Sequence, residues 1–370
     1  MRTLILSLLA LLLAVPAAAK DETPNREPAG QPPKVRKEKK DKRDKKNDLD
    51  VGGKLYVLWA VSDLVTEPAN TFAFNRARLR LRWKREKILE AKLSVEFSDF
   101  GTNSAPTDIL RDAYLAVGDP KRWHARVTAG QMKRPFSRIE LQSLRTLPTV
   151  KRGVSNGWMV RDLGFGNRDL GLQVDGTAGK GQWFGYAVGA YNGPGRNADE
   201  RGLDGSKDVA ARLEFRPAEW AEIGVGTSLR TFDRADGADL PRVTWMAGAD
   251  VAFKGGKWVR ITGEGLVGEA WLLPDRPLTW SGLLMLSSRA IKLPFLRARL
   301  EPLVKAELTV RDAGDMDTGI WMLATGVNLH LLDRFRLMVQ GEFIWPGDDE
   351  ATRLESPERM RLLVQLALDI

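Results

Sequence analysis

Phe72–Trp83 reads FAFNRARLRLRW. Within it, Arg76, Arg78, Arg80 and Arg82 alternate with Ala77, Leu79, Leu81 and Trp83. Side chains along a β-strand point to opposite faces with a period of two, so a strand here has one arginine face and one apolar face. Turned toward lipid near the midplane of a membrane, each guanidinium would cost about 2–4 kcal/mol. If the strand spans a membrane, the apolar set meets lipid and the four arginines line an interior.

The flanking sequence repeats the strand pattern. From Gly52 onward, alternating segments fall at 52–61, 72–83, 88–97, 109–117, 123–132, 166–176, 182–191, 207–216, 220–231, 242–253, 258–270, 278–288, 296–310, 319–330, 335–344 and 358–370, which makes sixteen. Tight connections at 84–87, 118–122, 179–181, 217–219, 254–257, 289–295 and 331–333 alternate with longer ones at 62–71, 98–108, 133–165, 192–206, 232–241, 271–277, 311–318 and 345–357. Such alternation is what an up-and-down barrel gives when its two rims face different compartments. Trp83, Trp123, Trp183, Trp220, Trp258, Phe295 and Phe335 stand beside the tight turns. Aromatic side chains at turn after turn predict a girdle at the headgroup level. In the last segment, Leu362, Val364, Leu366, Leu368 and Ile370 share one parity and Arg361, Gln365 and Asp369 the other, with Leu363 and Ala367 breaking the pattern. The expected fold is therefore all-β: a transmembrane, antiparallel, up-and-down barrel of sixteen strands.

Composition fits this reading. The 370 residues are 43% hydrophobic and 28% charged, too polar for a bundle of membrane helices. A barrel hides its apolar residues at every second position, so its average looks soluble. Arg2, the apolar run Leu4–Val15 and Ala17-Ala18-Ala19 read as a secretory signal cut after Ala19. No 18-residue apolar run follows it, and the chain has no cysteine for a lipid anchor or a disulfide. Residues 20–50 read as a disordered, Pro-rich and basic periplasmic tail. Its Lys34–Lys46 run, KVRKEKKDKRDKK, holds nine basic and three acidic residues. The expected organisation is a signal peptide at 1–19, the tail at 20–50 and an outer-membrane barrel at 51–370.

Two basic features carry the candidate chemistry. The first is the arginine face, whose charges at about 7 Å spacing repel one another. Glu90, Glu96 and Asp112 stand on neighbouring segments. The arginines then either brace the wall in a cross-strand Arg–Glu network or form a ladder that strips water from an anion and passes it along. The second feature is the third long loop, 133–165, where Lys133, Arg134, Arg138, Arg145, Lys151, Arg152 and Arg161 face Glu140 and Asp162. It either folds inward and narrows a channel or binds acidic lipopolysaccharide outside. No catalytic set is visible, because the only histidines, His124 and His330, lie in no recognisable motif. No metal-ligand set is apparent, and no cofactor is expected.

The pieces NRARLRL, LRDAYLAV, AGQMKRPFSRIELQSLRTLP, FGNRDLGLQVDG and GYAVGAYNGPG follow in this order over about 75–195. In this stretch the chain resembles the phosphate-selective porin O and P family. The resemblance implies a sixteen-stranded trimeric barrel with an inward third loop and an arginine-lined path for phosphate or polyphosphate. It also implies lumen roles for Arg76, Asp112 and Lys133. Where the family often has a doubled arginine, this chain has Asn75-Arg76. The combined expectation is passive anion diffusion through the outer membrane along Arg76, Arg78, Arg80, Arg82, Asp112, Lys133, Arg134 and Arg138. The expected partners are inorganic phosphate or other small anions, outer-membrane lipid and lipopolysaccharide, and further copies in a homotrimer. Nucleic acid is not among them. A non-selective small-solute porin, or a barrel that anchors the envelope through its basic tail, is the alternative.

Overall fold

The computed structural model describes residues 47–370 except 64–69, 87, 99–108, 180, 194–205, 233–241, 256–257, 289–290, 294–297, 333 and 356–358. The expected signal peptide, the tail up to residue 46 and Phe295 lie outside the described residues.

Seventeen strands run in chain order: β1 Asn47–Ser62, β2 Asn70–Arg85, β3 Leu89–Glu96, β4 Leu110–Asp119, β5 Ala125–Lys133, β6 Arg168–Ala178, β7 Phe184–Tyr191, β8 Asp208–Ala218, β9 Ala221–Thr231, β10 Val243–Gly255, β11 Val259–Glu269, β12 Leu278–Ser288, β13 Ile291–Leu293, β14 Ala298–Asp312, β15 Asp315–Leu332, β16 Phe335–Pro346 and β17 Arg359–Asp369. Apart from β12 and β13, each pairs antiparallel with its neighbour in sequence, and β1 also pairs with β17, so the sheet closes. β12 and the three-residue β13 both pair with β14, so β13 adds no stave and the ring has sixteen. Closure leaves no unpaired strand edge within lipid.

The burial pattern is inside out. Leu79, Leu81, Leu115, Val117, Leu172, Leu213, Val225 and Leu284 are exposed, whereas Glu96, Asp112, Gln131, Asp250, Glu264 and Glu307 are buried. This is the alternation of a barrel whose outer face meets hydrocarbon. Trp123, Trp183, Trp220 and Trp258 are exposed at the short-turn rim. Trp183 meets Phe215 edge-on at 5.4 Å and Trp220 meets Phe253 at 5.2 Å. At the opposite rim, Trp59 stacks on Phe72 at 6.2 Å and Phe343 on Trp345 at 5.9 Å.

Several connections differ from expectation. Asp312 pairs with Asp315 across a two-residue hairpin where a long loop was expected at 311–318. Side chains sustain it: Asp312 accepts from the Gly314 N–H at 2.8 Å, and Thr318 Oγ1 donates to the Asp315 carbonyl at 2.7 Å. The expected tight turn at 289–295 instead contains β13. β1 starts at Asn47 because its first residues pair with the end of β2, Asn47 opposite Arg85. The 345–357 loop carries a short helix, Glu350–Glu355.

β2 itself contains a bulge. Tyr56 pairs with Arg76 and Val57 with Phe74, leaving Asn75 as the extra residue. One extra residue reverses the parity. Phe72 and Phe74 therefore face outward, as do Leu79 and Leu81 beyond the bulge.

Candidate functional site

The third long connection, 134–167, enters the barrel and lies across its lumen; it is called L3 below. Its first turn, Arg138–Leu141, starts at Ser137, whose Oγ accepts from the Glu140 N–H at 3.1 Å. The same hydroxyl donates to Glu264 of β11 at 2.9 Å, and the Ile139 N–H reaches that carboxylate at 3.1 Å. Arg138 binds Asp250 of β10 and Glu222 of β9, each at 2.5 Å. Phe136, Met159, Val160, Leu163 and Phe165 of L3 pack on Met246 and Leu266 of β10 and β11. A Cβ at Gly226 would stand 2.8 Å from the Phe136 carbonyl, so β9 needs glycine for this approach.

The middle of L3 is tied farther round the ring. The Leu147 carbonyl accepts from Arg336 at 3.1 Å and the Pro148 carbonyl from Asn328 at 2.8 Å. The Val150 N–H donates to Gln340 at 3.0 Å, and the Ser155 N–H donates to Glu307 at 3.2 Å. Ile139 and Leu147 pack on Leu283 and Met285, and Val150 packs on Leu58, Met338 and Leu363. These ties hold L3 chiefly to the β9–β17 side.

Between L3 and the β1–β6 wall remains a cavity of about 570 Å³. Twelve basic side chains and two acidic ones, Asp112 and Asp369, line it. Its charges are layered. Arg78 binds Glu96 through Nη2 at 2.7 Å, and Arg76 reaches the same carboxylate at 3.8 Å. Lys92 and Arg168 bind Asp112 at 2.9 and 2.8 Å. Glu96 is 0% exposed, whereas Arg76 and Arg78 keep 17% and 16%. The carboxylates sit back in the wall and the cations stand in front of them.

L3 supplies the facing side. Glu140, 2% exposed, gathers Lys133 at 3.5 Å and Arg152 and Arg161 at 3.4 Å each. Burial pushes its carboxyl up, but Lys133, Arg152, Arg161 and Arg168 outweigh burial and hold it at about 2. Burial draws the Arg152 guanidinium down to about 10 against the pull of Glu140. Both remain charged at neutral pH.

The sequence model of the family described as phosphate-selective porin O and P matches residues 62–256, more than half of the 370-residue chain. The chain belongs to that family. It is an outer-membrane porin, and its family and fold are those of a channel. No curated protein matches the sequence. Among solved structures, the anion-selective porin from Comamonas acidovorans is similar with a TM-score of 0.63 at 12% identity, over 88% of this chain and 100% of that one. The trimer form of OmpT, an outer-membrane protein of Vibrio cholerae, gives 0.59 at 10% identity, over 88% and 100%. The outer-membrane channel DcaP of Acinetobacter baumannii gives 0.58 at 12% identity, over 88% and 98%. At these identities the likeness is one of fold.

In this porin, Arg76, Arg78, Arg80, Asp112 and Lys133 meet at that basic cavity. Arg80 binds Asp50 at 2.7 Å, and Lys133 also donates to the Glu140 carbonyl. Arg82 lies outside the cavity lining and grips Glu90 with two bonds of 2.9 and 2.8 Å. Arg134 is buried between Asp169 and Asp208, the latter at 2.8 Å, and fixes the base of L3. Arg138 ties L3 to the far wall. Lys54, Lys92, Arg111, Arg126 and Arg168 also line the cavity and did not stand out in the sequence. None stands in a run of like charges: Lys54, Lys92 and Arg126 are lone cations on the polar parity of their strands, and Arg111 and Arg168 sit at strand starts beside an aspartate. His124 is a turn residue with φ 58°, its carbonyl accepting from Tyr186 at 2.7 Å.

Proposed function

We propose that this porin passes anions through the basic cavity, with inorganic phosphate or polyphosphate as the preferred solute. The observation carrying this reading is the layered charge: twelve cations against two carboxylates at the lining, with Glu96 and Glu140 hidden behind their partners. A solute sees guanidinium and ammonium edges, while the carboxylates keep the cations in place and limit their mutual repulsion. Rows of arginine and lysine select anions in this way, and a guanidinium fork suits a phosphate's oxygens. The family description and the anion-selective porin from Comamonas acidovorans support the class of solute.

Arg76, Arg78, Arg80, Lys133 and the L3 arginines Arg145, Arg152 and Arg161 form the path in this reading, with Asp112 orienting Lys92 and Arg168. Arg82, Arg134 and Arg138 act as struts. The chain is exported by a signal removed after Ala19, its exposed apolar band meets lipid and lipopolysaccharide, and it assembles as a homotrimer. The trimer form of OmpT, similar in fold, supports the last point.

The test is reconstitution of the purified protein in a planar bilayer under a salt gradient. The expected result is ohmic steps, a reversal potential on the anion side and chloride current blocked by phosphate. Cation preference overturns the anion path, and anion current indifferent to phosphate overturns phosphate as the preferred solute. Equal passage of both ions makes the barrel a general small-solute porin.

A further inference from the structure

The two carboxylates at the lining of the basic cavity are held differently. Both oxygens of Asp112 meet cations, Lys92 at 2.9 Å and Arg168 at 2.8 Å. Asp369, at the end of β17, accepts on Oδ1 from the Tyr56 hydroxyl at 2.9 Å, and Arg145 of L3 comes to 3.8 Å from Oδ2. Lys54 stands directly across the strand ladder from Asp369, but its Nζ donates to Ser143 of L3 at 3.0 Å. Tyr56 is 0% exposed, so its hydroxyl fixes the Asp369 carboxylate without supplying a countercharge.

The place of this carboxylate matters as much as its partners. Asp369 keeps 14% of its side-chain surface and Arg145 keeps 56%, so both offer a face to the cavity they line. Leu368, one residue before Asp369, pairs with Phe335 beside a tight turn. Asp369, Arg145, Gly52, Gly53 and Ile370 therefore form the end of the cavity toward the short-turn rim.

Twelve cations around one cavity favour the entry of an anion and oppose its departure. Conduction needs binding strong enough to admit an ion and weak enough to let it go. We propose that Asp369 sets how tightly the cavity holds its anion and promotes release at the short-turn end. Its charge repels the bound solute, and it competes with the solute for Arg145. The proposal rests on the anion path described above and adds the residue that limits its affinity.

The test is block of single-channel chloride current by phosphate in planar bilayers, at a pH where phosphate is mostly divalent. One unit charge at close range across a wet lumen changes the affinity for a divalent anion by about tenfold and for a monovalent one by about threefold. Asp369→Asn keeps an acceptor for Tyr56 and removes the charge. It should tighten phosphate block about tenfold and lower the saturating phosphate current by a similar factor. Chloride affinity, read from the saturation of its conductance, should rise only about threefold. Asp369→Glu retains the charge and should stay near the parent. If Asp369 merely positions Arg145, its loss should instead weaken phosphate and chloride alike. Heat-dependent gel mobility checks folding, and Asp369→Ser stands in if the Asn variant does not fold. Phosphate block that is unchanged or weaker in the uncharged variant, or a shift of equal size for chloride and phosphate, overturns the proposal. A parent channel whose current ignores phosphate overturns phosphate as the preferred solute, and the proposal with it.

Discussion

Replacing Glu140 with Gln tests whether one carboxylate holds L3 in place. The side chain is 2% exposed and answers Lys133, Arg152 and Arg161 at 3.4–3.5 Å. Its carboxyl is held at about 2 against an ordinary 4.5, which corresponds to about 3 kcal/mol of net favourable interaction for the ionised form. Removing one partner of a buried pair costs about 3–5 kcal/mol, because the remaining charges stay buried. L3 can detach without the barrel unfolding, so the loss should appear locally. Amide exchange over residues 139–165, corrected for intrinsic rates, should accelerate roughly a hundredfold in the variant. The pH dependence has a definite sign. A carboxyl with a lowered folded value contributes fully above 4.5 and loses that contribution as pH falls toward about 2. Loop protection in the parent should therefore decline between these values, and the Gln variant should show no such step. Parent-like exchange at neutral pH, or the same acid step in both proteins, refutes the electrostatic account of how L3 is seated.

The double variant Arg78→Gln with Arg80→Gln should move the reversal potential toward the cation side while the barrel still folds; an unchanged potential makes these arginines wall braces. Phe136→Ala empties part of the cluster with Met246 and Leu266, so L3 anchoring should weaken by about 3–5 kcal/mol, read as increased open-channel noise and faster exchange at 158–166. Gly153 has φ +113°, and a Cβ there would enter the Glu307 carboxylate. Gly153→Ala should weaken that anchor by about 1–3 kcal/mol, measured as lost protection of the Ser155 amide, which donates to Glu307.

How far sequence reaches depends on whether a residue's partner lies beside it or across the lumen. The arginine face of β2 was legible because lipid on one side dictates parity and four charges in a row leave no ambiguity. The Asn75 bulge was not read, although Phe72 and Phe74 share the parity of Arg76, a conflict that an extra residue resolves. The 312–315 hairpin was hidden because its Asp and Thr side chains resemble those of a loop until their backbone bonds are seen. In the candidate site, Arg82 and Arg78 are equivalent in sequence. Each is held by a glutamate through two bonds, and what separates them is position: Arg82 pairs with Glu90 near the tight turn, whereas Arg78 pairs with Glu96 at the level of the cavity.

Breaks in the alternation carry positional information of their own. Leu363 looked like an impurity on the polar parity of the last strand. It is 0% exposed because it points into the lumen, where Val150 of L3 covers it with Leu58 and Met338. The same holds for Met246, Leu266, Leu283, Met285, Ile320, Met322 and Ile344, all buried lumen-side positions. A wet pore has no use for apolar side chains on its inner face, since each would be better placed on the lipid side. Those seven fall on β10–β16. Together with Leu58 and Leu363 they mark where L3 lies against the wall. The corresponding positions on β2–β6 are mostly charged, among them Arg78, Arg80, Glu90, Lys92, Glu96, Asp112, Arg126 and Arg168, with Met132 of β5 an apolar exception. The wall that L3 covers thus mixes charges such as Asp250, Glu264, Glu307 and Arg336 with buried apolar side chains, whereas the wall it leaves uncovered is mostly polar and charged. This chain encodes where its loop lands in the parity errors of its strands, and its basic cavity opens along the wall where such errors are few.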